Sequence, residues 1–269
     1  MSSFYGCHFS FDDIPCEYYE LHVYDLGRPQ DPGGAFTSPG RISEDRVPRR
    51  TRSMYYGTSH DRPLELRFVF GANSKRIDRN QPFDRWDLET IASWLTDRDG
   101  YRWLEIEQPD METLRFRCII TDLRFSTVGK EPWAFECRIT CDSPFAYTFP
   151  EVFKYSVMGS TDIPFFNRST SNGFFYPQME LYLFGTTFIN IINHSDNGRL
   201  FSLTDIPNGE IIRINIDNEN GVITNNLGHN LYRNFNFNFL RLVRGDNRLE
   251  VNGSCNMVIT CEFLQNVGG

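Results

Sequence analysis

The sequence predicts a mainly β protein in two parts: an N-terminal α+β domain made of an antiparallel sheet with one helix, and a C-terminal β-sandwich. Three observations predict this. Apolar and polar residues alternate through the last third of the chain, from Glu210 to Phe263, which is the period of a pleated sheet with one dry face. A helical stripe stands out at one place, Leu88–Leu95. The composition also changes along the chain: residues 1–150 hold 17 Arg and 2 Asn, whereas residues 151–269 hold 7 Arg and 19 Asn. Such a shift marks two domains with different surface requirements, taken as 1–150 and 151–269. The seam falls after Ser143-Pro144-Phe145 and before Asn167-Arg168-Ser169, in a stretch that holds Pro150, Gly159 and Pro164.

In the first domain Tyr5, Cys7, Phe9 and Phe11 share one face of an opening strand, and a second strand follows near Tyr18–Tyr24. A long irregular segment from Leu26 to Arg62 comes next, rich in Gly, Pro, Ser and Arg; loops of that length in compact domains are usually functional or mobile. Leu64, Leu66, Phe68 and Phe70 form another strand face. Leu88, Ile91, Ala92 and Leu95 stand at i, i+3, i+4 and i+7, one stripe of a helix. Asp84 or Asp87 suits its cap, Glu89 its positive end, and Asp99-Gly100 its stop. Tyr101–Glu107, Leu114–Phe125 and Trp133–Cys141 complete the sheet.

The second domain has no convincing helix. Met179, Leu181 and Leu183 alternate, as do Ile212, Ile214 and Ile216, and Met257, Ile259, Cys261 and Phe263. Phe235, Phe237 and Phe239 alternate with asparagines, and the phase break at Leu240 predicts a bulge near Phe239. Asp217–Gly221 and Gly245–Asn247 read as turns, because Gly and Asn tolerate positive φ. Short strands with such turns are the pattern of a β-sandwich.

Net charge is −8, which disfavours tight binding to a polyanion. Met1–His8 lacks the pattern of a secretory signal, and no run of about 18 apolar residues spans a membrane. The seven cysteines lie far apart with no Cys-x-x-Cys, and Cys7, Cys137 and Cys261 fall on apolar strand faces. They read as buried thiols of a reducing cytosol.

The sequence carries no catalytic signature. There is no Gly-x-Ser-x-Gly elbow and no His-Glu-x-x-His. Gly33-Gly34 and Gly40 do not sit between a strand and a helix, so no phosphate or cofactor loop is expected. Glu105 and Glu107 share a strand face, a pairing common in soluble proteins. His194-Ser-Asp196 reads as a polar turn, with a cation site as the lesser reading, and no metal site is expected. Arg41, Arg46, Arg49, Arg50 and Arg52 form the one basic cluster, broken by Glu44 and Asp45. It is open to three readings: a solvated loop, a contact between subunits, or a contact to DNA. Met54, Tyr55 and Tyr56 beside it favour a contact. Phe174-Phe175-Tyr176 suits either a sugar ring or a domain junction.

Three stretches in order resemble the distal tail protein (Dit) family of long, non-contractile-tailed bacteriophages. One is Ala134–Tyr147, a closing strand with a Pro-Phe-x-Tyr exit; another is the Leu88–Leu95 helix with Tyr101–Glu107 and Pro109-Asp110; the third is Gly209–Asp217 with Gly221, then Phe239–Asn247. The resemblance implies a non-enzymatic virion protein without cofactor or metal, made in the host bacterial cytoplasm. It implies a homo-hexameric ring at the tail tip, closed by the first domains, with galectin-like second domains projecting outward. Its partners would be the tail tube protein and tail-tip or receptor-binding proteins, with DNA passing through the channel without specific binding. The alternative is a carbohydrate-binding module that contacts host surface polysaccharide.

Overall fold

A computed structural model describes residues 8–27, 41–46, 48, 51–59, 63–206, 212–228 and 230–267. The chain divides into two compact units, residues 1–147 with 266–269, and residues 148–265.

The first unit holds β1 (His8–Phe11), β2 (Ile14–Pro15), β3 (Leu21–Gly27), β4 (Arg41–Asp45), β5 (Met54–Ser59), β6 (Glu65–Ala72), α1 (Ser74–Asp78), α2 (Arg85–Thr96), β7 (Arg102–Glu107), β8 (Leu114–Val128) and β9 (Glu131–Cys141), with β10 (Ala146–Thr148) at its end. Its main sheet has the order β2-β1-β7-β8-β9-β6-β3, and every pairing is antiparallel. The expected face of β6 is dry: Leu64, Leu66, Phe68 and Phe70 are all buried, as are Phe9 and Phe11. Full burial of one such side chain contributes about 1.5–3 kcal/mol.

Helix α2 starts where its sequence directs. Asp84 accepts from the Asp87 N–H and the Asp87 carboxylate accepts from the Asp84 N–H, a reciprocal cap. The helix ends at Thr96, before Gly100 is reached. It buries Ile91, Trp94 and Leu95. Trp94, absent from the expected stripe, is central: its indole N–H donates to the Phe11 carbonyl at 3.0 Å, and its ring stacks on Phe9 and Tyr19. A second helix, α1, is an addition to the expected single one. It is capped by Asn73, which accepts from the Arg76 N–H. The strand expected at Tyr18–Tyr24 begins only at Leu21, because Cys16–Tyr19 form a 3-10 turn closed by Glu20 in the left-handed region.

The second unit is built on an antiparallel strand pair of unusual length. β11 (Glu151–Asn167) pairs residue for residue with β17 (Gly245–Cys261). Between them run β12 (Gln178–Leu183), β13 (Ile189–Asn193), β14 (Arg199–Leu203), β15 (Ile212–Asp217) and β16 (Val222–Asn225). The far edge of β17 is shared. Its Leu249–Asn252 stretch pairs with β13, and its Cys255–Thr260 stretch pairs with β12. The division falls at Gly253, which stands opposite Gly159. Both have positive φ, 145° and 77°, backbone that glycine adopts without strain. Leu249, Val251, Cys255, Met257, Ile259 and Cys261 alternate into one core with Met179, Leu181, Leu183 and Ile191.

Two sequence expectations fail here. Gly245–Asn247 is not a turn but the start of β17. Asn234–Phe239 is not a strand: a 3-10 turn at Leu231–Asn234 leads into irregular backbone. Asparagine amides take the place of a ladder there. Asn236 accepts from the Ser202 N–H and donates to the Leu200 carbonyl, and Asn218 accepts from the Leu240 N–H. Buried Asn193 and Asn247 bond to each other and to the carbonyls of Arg241, Val243 and Gly245. Side-chain amides that mimic backbone satisfy buried polar groups without a strand. This is a use of the asparagine excess.

Candidate assembly interfaces

The basic cluster and its aromatic neighbours lie partly on a hairpin of their own. β4 and β5 form a separate two-stranded sheet, so the Leu26–Arg62 segment is not irregular throughout. The Ser53 hydroxyl donates to Glu44 across its loop end at 2.6 Å. None of its described side chains joins the core of the first unit. Met54, Tyr55 and Tyr56 are exposed, the two tyrosines by 64% and 63%. Arg46 and Arg52 are exposed beside them. Arg49 and Arg50 lie outside the described residues, as does the side chain of Arg41. The structure thus sets Arg46, Arg52, Tyr55 and Tyr56 on one excursion from the sheet.

A second apolar projection was not expected from the sequence. The β8–β9 ladder slips register between Thr121 and Arg124, at Asp122 with φ 52°, a β-bulge. Buried positions of β8 stop before this bulge. Beyond it Phe125 and Val128 are 58% and 69% exposed, flanked by the exposed cations Arg124 and Lys130. Apolar residues stand at even positions through Ile120 and at odd positions from Leu123, so the alternation changes phase at the bulge, but polarity alone does not show that the strand beyond it leaves the core.

Many arginines of the first unit serve that unit. Arg76, with its side chain 9% exposed, pairs with Glu20 and Asp87 and lies over the Phe83 ring. Arg98 and Arg102 approach Asp12, Arg67 pairs with Glu136, and Arg115 covers Trp103 at 3.6 Å. The arginine excess therefore does not by itself indicate an interface.

The candidate sugar-binding aromatics separate. Phe175 is a core residue, 8% exposed, packed on Phe263 and bonded through its backbone to Leu242. Phe174 is exposed, but the Arg241 guanidinium stands 3.6 Å from its ring centroid. His194–Asp196 is a 3-10 turn in which His194 meets Glu250 and buried Asp196 holds Arg241 by two bonds, 2.7 and 3.1 Å. Glu105 accepts from Ser10.

Among the described residues, resolved shifts in proton affinity come from local pairing or burial. Hydrogen bonds from Arg79 and then Arg76 hold the Glu20 carboxyl below the usual range. Arg67 does the same to Glu136. Burial pushes the thiols of Cys137, Cys141 and Cys261 up to about 12. These are signatures of structural pairing and packing, the bland source of such shifts. No described helix is long and apolar enough to cross a membrane.

Two family models, described as phage tail protein N-terminal domain and phage tail C-terminal domain, match residues 4–143 and 145–261. The chain belongs to that phage tail family. Its fold is that of the Dit protein of phage SPP1, whose crystal structure is described as a paradigm of the hub adsorption apparatus in phages infecting Gram-positive hosts. The TM-score is 0.69 at 11% identity, over 96% of this chain and 99% of that one. Weaker likeness extends to phage P2 baseplate structures in the activated conformation, with Ca (TM-score 0.48) and with Sr (0.44), each at 12% identity over 90% of both chains. No curated protein matches the sequence.

Proposed function

We propose that this chain is a non-enzymatic hub of the distal tail. Copies of it close into a six-membered ring that joins the tail tube to the tail-tip or receptor-binding proteins and leaves a central channel for DNA. The observation that carries the reading is the Dit-like fold along 96% of the chain, in which the first unit holds out two hairpins tipped with exposed apolar side chains. A ring needs a head-to-tail contact between unlike surfaces of identical subunits. The β4–β5 and β8–β9 hairpins supply one side of such a contact. Arg46 and Arg52 with Tyr55 and Tyr56 form the rim and anchors at the first of them, and Arg49 and Arg50 are assigned to the same contact from the sequence alone. Arg and Tyr are the residue types that interface cores favour.

Mass photometry of the purified protein, with negative-stain images, tests this. Wild type should form closed rings. Tyr55→Ser with Tyr56→Ser should weaken assembly by about 2 kcal/mol or more, the loss typical of an interface anchor, and leave the subunit's far-UV spectrum unchanged. Arg49→Glu with Arg50→Glu should act in the same direction. A strictly monomeric wild type at high concentration, with no ring in tail preparations, overturns the proposal.

Glycan contact is a second reading, and the structure favours a different residue for it. Phe237 is 64% exposed and holds φ 60°, a strained choice for an aromatic residue. Its ring runs nearly parallel to that of Tyr232. Titration with host wall polysaccharide should show saturable binding lost in Phe237→Ala; absence of binding by wild type removes this reading.

A further inference from the structure

The first hairpin of the chain brings three different metal-ligating side chains together. β1 and β2 pair in the register Ser10↔Pro15 and Phe11↔Ile14. The turn between them has positive φ at both Asp12 (54°) and Asp13 (62°), the tight form that matches strand twist. Continued outward, this register sets Phe9 opposite Cys16 and His8 opposite Glu17. The contacts follow. The Phe9 N–H donates to Cys16 Sγ at 3.4 Å. Cys16 Sγ lies 4.0 Å from His8 Nδ1 and 3.5 Å from Glu17 Oε2. His8 Nδ1 also contacts Glu17 Oε1. The three ligand atoms all fall within 4.8 Å of one another.

We propose that His8, Cys16 and Glu17 form a zinc site, with solvent in the fourth position. Donor identity selects the metal: a thiolate, an imidazole and a carboxylate suit Zn²⁺, whereas Ca²⁺ and Mg²⁺ take oxygen ligands. The spacing suits it too. Tetrahedral bonds of about 2.3 Å to sulfur and about 2.0 Å to nitrogen set those atoms about 3.5 Å apart, so small side-chain rotations close the site. A backbone N–H already points at the sulfur, the outer-shell bond that steadies a metal thiolate. The site is open on one side, where His8 and Glu17 line a cleft of about 500 Å³ with Glu20, His22 and Tyr24. Metal binding displaces the proton of Cys16 to the buffer, so the bound form holds a thiolate that burial otherwise disfavours. The site would fasten β1 to the turn that precedes β3, on the sheet of the first unit.

The test uses the full chain, stripped with a chelator and titrated with Zn²⁺ against a competing chromophoric chelator, then with Co²⁺. Wild type should take one equivalent of zinc, and cobalt should give a thiolate charge-transfer band with tetrahedral d–d absorption. Cys16→Ser should lose the band and bind zinc about 100-fold or more weakly, beyond the loss typical of an outer-shell change. His8→Ala, at a half-exposed position, should do the same with an unchanged far-UV spectrum, which keeps the test decisive if Cys16→Ser fails to fold. Cys118→Ser should bind as wild type. Failure of wild type to bind zinc, or binding by His8→Ala equal to wild type, overturns the proposal. Neither readout depends on ring formation.

Discussion

Gly253→Ala is the sharpest probe of the second unit. The substitution acts twice. At φ 145° an L-residue is strained by about 1–3 kcal/mol. The new Cβ would also stand 2.8 Å from Ile189 Cδ1 and 3.0 Å from the Phe188 carbonyl oxygen. The methyl group can rotate away, but the carbonyl belongs to the backbone leading into β13. Overpacking of this kind costs about 1–3 kcal/mol. A total near 3 kcal/mol, with a urea m-value of about 1.5 kcal/mol/M for a unit of this size, lowers the midpoint by about 2 M.

Gly159→Ala is the control. It faces Gly253 across the ladder at φ 77° but has nothing within 4 Å of the new Cβ, so it bears the conformational cost alone, about 1 kcal/mol. The assay separates the units. All four tryptophans, Trp86, Trp94, Trp103 and Trp133, lie in the first unit. Tryptophan fluorescence should therefore report an unmoved transition in Gly253→Ala, while the far-UV signal loses its second-unit component early. A Gly253→Ala midpoint no lower than that of Gly159→Ala would refute the argument from close approach.

Two other outcomes follow from burial and charge. Phe175→Ala should destabilise the second unit by about 3–4 kcal/mol as a core truncation, and Phe237→Ala by no more than about 1 kcal/mol, both read from far-UV urea curves; equal effects would remove the distinction drawn between the two rings. Glu20→Gln tests the Arg79–Glu20–Arg76 pairing. A carboxyl held low in the folded state stabilises above its unfolded value near 4.3 and loses that contribution as pH falls through its folded value. The Glu20 side chain is 30% exposed, so the wild-type advantage over Glu20→Gln should be about 0.5–1 kcal/mol at pH 7 and should shrink toward pH 3. An equal gap at both pH values by tryptophan fluorescence would show that the charge is not responsible.

Legibility from sequence followed the source of each element's stability. Where a strand is held by burial of its own alternate residues, as at Met257–Cys261 or Phe68–Phe70, the pattern is complete in one dimension. Helix α2 was readable because cap and stripe are both local, yet Trp94 was missed because its role comes from Phe9, Phe11 and Tyr19. Asn234–Phe239 misled because alternation records only polarity; it cannot show that the Asn236 amide bonds to the backbone of Ser202 and Leu200 in place of a strand ladder. The β4–β5 hairpin was hidden by its polar composition, and the outward run of β8–β9 by an alternation that resumes in the opposite phase at Leu123 and records polarity, not burial. The His8–Cys16–Glu17 cluster has no familiar spacing, and only the register set by Asp12-Asp13 brings it together.

The burial of the thiols bears on durability outside the cell. Cys118, Cys137, Cys141, Cys255 and Cys261 are free and buried, and burial raises every one of them, Cys255 to about 11 and Cys137, Cys141 and Cys261 to about 12. Near neutral pH a thiol raised in this way stays protonated, whereas an ordinary cysteine is ionised to a few per cent. Aerobic oxidants and disulfide exchange act on the ionised, accessible form. A particle carrying this protein through an aerated environment would thus keep these sulfurs reduced, and neighbouring copies would not become covalently cross-linked through them during storage.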